Sequence, residues 1–363
     1  MRTHLTKLAI PRLLLVLLVG SCNRQHLDSK ILDKQMLEAA RQGDTASVQQ
    51  LFRKGASIHA KSENGETALT LAASGGNGPL VAWLLDGGIS AEEKNEALFS
   101  AVRFRPAVVE YLKDANPMPG PIPPQYAVGG DYVLNLLLSK GANVEARDEQ
   151  GETPLIAAAS HGGTNAVKMF LERGANPNAR DNTGVTALIA AACVCAVIDM
   201  PDTANAMKLL LDNGAEIDAK TPEGYTALMS AAGAGRTNIV KLLLDRGALI
   251  EGKDATGETA LMVAASGSAY PTIETTKLLL DKGGNIEARD AGGKTPLVLA
   301  ASGNGFDRFP TVKLLLERGA NVRAKDKHGD TALSLAKKNN QQDVQRDHDK
   351  LVELLSNAMS ASH

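Results

Sequence analysis

The sequence predicts an all-α solenoid of about ten helix-turn-helix repeats joined by short β-hairpin fingers. Three observations predict it. The first is the mark Gly-x-Thr-Ala/Pro-Leu, which occurs at Gly65, Gly151, Gly184, Gly224, Gly257, Gly293 and Gly329. From Gly151 onward its spacings are 33, 40, 33, 36 and 36 residues. The second is a separate mark, the glycine that closes each second helix. Gly141, Gly174, Gly214, Gly247, Gly283 and Gly319 keep the same spacings. The third is the unit between the marks, whose apolar face is too small to be buried alone and calls for stacked copies.

Gly224 to Thr256 shows the unit best. Thr226 stands where a helix N-cap belongs, with a hydroxyl for an orphan N–H. Leu228, Ala231 and Ala232 give a narrow apolar stripe, and Gly235 can end the helix in the left-handed conformation. Ile239, Val240, Leu243 and Leu244 carry a second helix, with Arg246 and Gly247 at its end. Ala248 to Thr256 is polar and turn-rich, as an extended finger should be.

These residues resemble the ankyrin-repeat family. Its pattern, Asp-x-x-Gly-x-Thr-Pro-Leu-His-x-Ala-Ala and then Val-x-Leu-Leu-x-x-Gly-Ala, is matched by Asp148, Gly151, Thr153, Pro154, Leu155, Ala158, Ala159, Leu171, Gly174 and Ala175. The resemblance covers residues 33–358 and implies the ankyrin fold. It also implies protein partners met on the side of the finger tips. One departure is systematic: the family's His is Thr70, Ile156, Ile189, Met229, Met262, Val298 or Ser334 here. That removes a polar link from the cap to the neighbouring finger.

Residues 1–21 read as a signal peptide. Arg2, Lys7 and Arg12 precede the apolar run Leu13–Val19, which is too short to span a bilayer. Val19-Gly20-Ser21-Cys22 resembles a bacterial lipobox, which implies lipid attachment at Cys22. The alternative is an ordinary signal peptide with an incidental cysteine. Asn23 lacks the Asp of inner-membrane retention, so the expected place is the envelope, lipid-anchored, with the outer membrane favoured. Residues 22–32 form a tether. Without residues 1–21 the balance is 36 cations against 41 acids, a net charge of −5. A mildly acidic chain does not attract nucleic acid or an anionic membrane face.

Asp33 to Lys61 is a first repeat without the leading Gly-x-Thr. Residues 92–140 read as a degenerate repeat with a Pro-rich insert, NPMPGPIPP at 116–124. There Asn95–Ala115 supplies two helical segments, and Val133–Gly141 is a second helix with a poorly marked first one. Pro121–Pro124 is the one PxxP and reads as a rigid linker. Gly151 to Lys325 is the regular body. Three of its repeats carry extra residues between their helices, Cys195–Ala206, Ser268–Thr275 and Asn304–Pro310. Equivalent places in stacked repeats align, so these predict a row of loops holding Tyr270, Phe306 and Phe309. The chain is only 3% aromatic, so this is a concentration. Residues 329–358 form a polar C-terminal cap, and 359–363 a fraying tail.

The seven histidines are scattered, Cys193 and Cys195 have no second pair, and no phosphate-binding glycine pattern occurs. The expectation is a non-enzymatic, monomeric protein-interaction scaffold without cofactor or metal. Its partners are proteins, not nucleic acid, and it meets the membrane through its anchor alone. The alternatives are an accessory regulator or protector of one envelope enzyme, and a secreted effector. One stoichiometric enzyme partner would mark the regulator, and release into the medium the effector. For the binding face, the residues between Gly and Thr are Glu66, Glu152, Val185, Tyr225, Glu258, Lys294 and Asp330. Five are charged, as a solvated surface should be. Val185 and Tyr225 are not, and they fall in neighbouring repeats, with Cys193 and Val194 close in sequence. This set is the expected anchor. Lys208–Asp212, Lys241–Asp245, Lys277–Asp281 and Lys313–Glu317 are expected as weak pairs along single helices.

Overall fold

A computed structural model describes residues 29–103, 129–193, 201–267, 271–303, 308–338 and 345–361. Among them it shows 18 helices and no strand. The fingers are single turns. In one, Gly151 N donates to Asp148 O and Asp148 N to Glu152 O. Pairing beyond such turns is limited to isolated bridges, Lys61–Thr67 and Arg180–Thr186.

The chain divides into two compact units, Met1–Asn143 and Val144–His363. The first holds α1 (29–41), α2 (Thr45–Arg53), α3 (Ala68–Ser74), α4 (Gly78–Leu85), α5 (Ala91–Arg103) and α6 (Gly129–Ser139). The second begins with α7 (Pro154–Ser160), α8 (Thr164–Glu172), α9 (Ala187–Cys193), α10 (Pro201–Asp212), α11 (Ala227–Gly233) and α12 (Thr237–Asp245). It continues with α13 (Ala260–Ser266), α14 (Ile273–Asp281), α15 (Pro296–Ser302), α16 (Arg308–Glu317), α17 (Ala332–Lys338) and α18 (Gln345–Ala361). Odd and even helices pair into nine repeats among the described residues. Within each unit first helices stack on first helices, and second on second.

Seven-residue helices such as α13 are too short to persist alone. Burial holds them: Ala260 to Ala265 are all buried, and a buried Leu or Met contributes about 1.5–3 kcal/mol. The alanines allow first helices to approach closely. Thr226, as its position requires, caps α11 by accepting from Met229 N at 3.3 Å. Gly235 (φ 67°) then ends that turn, and Gly247 (φ 91°) ends α12. The systematic departure has two outcomes. Thr70 and Ser334 close hydroxyl boxes, accepting from Thr67 N and Thr331 N at 2.8 Å each. Ile156, Ile189, Met229, Met262 and Val298 are buried instead, so the lost polar link is replaced by core.

Four expectations need correction. Residues 29–32 already belong to α1, so the tether does not extend to 32. In the degenerate region, α6 packs on both α4 and α5, so α5 and α6 are the two helices of one repeat. The first of the two expected segments is α5; the second, within 104–115, and the Pro-rich insert lie outside the described residues. The inserts of the body are only partly loop. Residues 201–206, 273–275 and 308–310 are helical, which lengthens α10 to 12 residues against 9 in α12. Residues 194–200, 268–270 and 304–307 lie outside the description. Finally, α18 runs to Ala361. Its Met359 packs on the terminal core and its carbonyl accepts from Arg323 at 3.2 Å, so 359–361 do not fray.

Candidate binding surface

The fingers of the second unit are built on one turn. Its glycine is left-handed throughout, for example Gly224 at φ 84° and Gly257 at 81°. The next finger also closes on it: a Cβ on Gly224 would come within 2.7 Å of Ala255 N and Asp254 Cα. Only glycine meets both demands. A carboxylate four residues before the variable position takes that residue's N–H, as Asp181 does for Val185 (2.9 Å) and Asp254 for Glu258 (2.8 Å). In the repeat of Tyr225 the acceptor is the Thr221 hydroxyl, at 3.3 Å.

Basic side chains strap each finger to the next. Arg147 donates to Arg180 O (2.6 Å), Arg180 to Lys220 O (2.6 Å), Lys220 to Lys253 O (2.7 Å) and Lys253 to Arg289 O (2.9 Å). Arg289 in turn reaches Lys325 O at 2.8 Å. Acidic side chains stitch the other edge, with Glu251 accepting from Asn285 N and Glu287 from Asn321 N, each at 2.7 Å.

All seven residues between Gly and Thr are half-buried, charged and apolar alike. The charged five are therefore not the freely solvated surface their type suggested. Burial pushes the Glu258 carboxyl above its ordinary range, and Asp254 and Asp290 add to it. Burial likewise raises the Tyr225 phenol, assisted by Glu258 and Asp254. Tyr225 thus borders a group of acids on the following repeat. Val185 occupies the same register one repeat earlier, and Cys193 is exposed at the end of α9. Val194, Tyr270, Phe306 and Cys22 lie outside the described residues. Phe309 does not belong to a loop: it sits in the first turn of α16, half-buried against the terminal core.

Sequence reasoning missed a set of exposed or half-exposed apolar side chains, Ile31 (50% exposed) among them. Phe52 (41% exposed) meets Trp83 edge-on, with ring centroids 5.5 Å apart. Tyr132 (52% exposed) lies over Gly78, where a Cβ would come within 2.5 Å of its ring. Leu249 is 64% exposed. Register was the missing signal, since Leu249 stands where sibling repeats carry Asn176, Glu216, Asn285 and Asn321.

Among the described residues no three His, Cys, Asp or Glu side chains converge as metal ligands, and no helix is long and apolar enough to cross a membrane. A family model described as "Ankyrin repeats (3 copies)" matches residues 36–119, 125–200, 194–290 and 268–358. No curated protein matches the chain.

Proposed function

This chain belongs to the ankyrin-repeat family, and we infer on that premise that it is a protein-interaction scaffold whose anchor point is the finger side around Val185 and Tyr225. The family is generally non-enzymatic and typically mediates protein–protein binding. The observation that carries the placement is the pairing of an uncharged register, Val185 then Tyr225, with the crowded acids Asp254, Glu258 and Asp290 beside it. A carboxylate raised by burial and like charge gains when a cation approaches. The fitting partner element is therefore apolar with a basic rim. The reading extends to export and lipid attachment at Cys22, which the lipobox-like Val19–Cys22 supports.

A photo-crosslinking residue at position 225 tests the placement in intact cells. One defined adduct is expected there and none from position 241 on a second helix. Tyr225→Ala should weaken that partner by ~2 kcal/mol or more without lowering the melting temperature. Equal adducts from both positions would refute the placement. Cys22→Ala should abolish incorporation of labelled fatty acid, and unchanged labelling would refute the anchor.

A further inference from the structure

The second helices share one register, and in the second unit their outward face is charged at its middle. Lys168, Lys208, Lys241, Lys277 and Lys313 stand at the same position, all exposed. The equivalent residues of the first unit are Gln49, Ala82 and Asn135. Around them lie exposed Pro79 and half-buried Trp83 on α4, Phe52 on α2 and Tyr132 on α6. The Phe52–Trp83 contact and the seat of Tyr132 on Gly78 join these helices into one face with an uncharged middle. Its charges, Arg53, Lys54, Asp86, Asp131 and Lys140, stand in the first or last turns of the helices, where Asp86 and Lys140 pair at 2.8 Å.

We propose that this aromatic face of the first unit rests on the bilayer interface. The proposal rests on the lipid anchoring inferred above and departs from the expectation that the anchor alone meets the membrane. Trp and Tyr rings with an uncharged surround suit the headgroup level, where their apolar bodies and polar tips are both satisfied. A few aromatic side chains bind a bilayer only weakly by themselves. The anchor supplies the rest. Six residues separate Cys22 from Ser29, the first described residue of α1, a reach of at most about 20 Å, so the first unit is held at high effective concentration over the membrane. The equivalent face of the second unit, with its row of exposed lysines, lacks this uncharged aromatic character.

Trp83 is the only tryptophan in the chain, so its fluorescence reads this face alone. The test uses residues 22–363 with Cys193→Ser and Cys195→Ser, coupled through Cys22 to maleimide lipid in phosphatidylcholine vesicles. Trp83 emission should move to the blue, with quenching by lipids labelled near the headgroup and protection from iodide. Gln49→Lys with Ala82→Lys, which restores the charges of the other unit, should reduce that quenching several-fold at unchanged helicity. Equal iodide access with and without vesicles would overturn the proposal. So would a lipid-free blue shift that grows with protein concentration, which would make a second copy the occupant. Fatty-acid labelling in cells separates the two readings. Quenching in vesicles without labelling at Cys22 would sink the anchor and leave the face's preference for lipid standing.

Discussion

The two units build the same repeat and hold consecutive repeats together differently. In the second, each finger closes over the glycine of the one before, and straps run from Arg147 to Arg289 without a break. In the first, Gly65 has the same left-handed backbone (φ 80°), yet a Cβ there would meet nothing within 4 Å. The repeat that follows begins without a Gly-x-Thr finger. Its place is taken by a capping box at the start of α5, where Glu93 accepts from Ser90 N at 3.0 Å and Ser90 Oγ accepts from Glu93 N at 3.2 Å. The same Glu93 holds His59 of the preceding finger, 2.9 Å away. One unit repeats the same finger contact at every step, and the other uses assorted side-chain links, with the buried Glu93 joined by Lys61–Glu96 at 3.2 Å and Asn77 donating to Gly43 O at 2.8 Å.

The sharpest way to break that comparison is a glycine substitution at matched register. Gly65→Ala and Gly224→Ala both force a Cβ into the left-handed region, which costs about 1–2 kcal/mol. At Gly224 the methyl also collides with the backbone of Asp254 and Ala255, which cannot move without unseating the next finger. Gly224→Ala should therefore lose at least twice as much as Gly65→Ala by denaturant unfolding. Equal losses would mean that the second unit's fingers are not closed in solution.

The next effect separates the units by pH. Burial works to raise Glu93, but hydrogen bonds from His59 and Ser90 outweigh it and leave the carboxyl below its ordinary value. A lowered carboxyl pKa adds stability that is present above the unfolded value, about 4.5, and is lost as pH falls through the folded value. Glu258 has the opposite sign. Its raised pKa opposes folding at neutral pH, and the penalty is relieved as pH falls through the raised value. Glu93→Gln should cost about 1–3 kcal/mol at pH 7 and flatten the acid limb of unfolding. Glu258→Gln should stabilise by less than about 0.5 kcal/mol once solvent screening is counted. Urea titrations of both variants at pH 4 and pH 7 read the signs directly.

Most of the fold was legible because ankyrin marks act locally. A Thr before an Ala/Leu stripe needs only its own N–H groups to become a cap, and Gly247 needs only its own φ. Ser90-Ala91-Glu92-Glu93 was equally readable as a box from its spacing, and it identifies α5 as the first helix that α6 completes. Partners across repeats were less legible. Spacing within one helix placed Lys241 beside Asp245, but the acid turns to Lys282 of the next repeat at 2.7 Å. Asp212 likewise meets Arg246 at 2.9 Å. A Lys four residues before its acid is the weaker orientation on a helix, and the next helix end offers a cation with better reach. Lys313–Glu317, at 3.8 Å, is the expected pair that the structure does show. The uncharged register at Val185 and Tyr225, on which the proposed anchor rests, was legible as sequence. The half-burial of the charged siblings was not, because it depends on packing that sequence spacing does not show.

The smallest effect tests this exchange of partners. Asp281 pairs with Arg318 of the following repeat at 2.7 Å, four residues after Lys277 on its own helix. Both members of the cross-repeat pair are exposed or nearly so, so the contribution is that of a surface pair, about 0.2–1 kcal/mol. It should fall toward zero in 1 M salt, where the screening length is about 3 Å. A double-mutant cycle between Asp281→Asn and Arg318→Gln at low salt should return a coupling in that range, and the cycle with Lys277→Gln almost none. If the Lys277 cycle gave the larger coupling, the acid would prefer its own helix in solution. The row from Asp212 to Arg318 would then be a set of independent surface charges, and both units would rely on their fingers and cores alone.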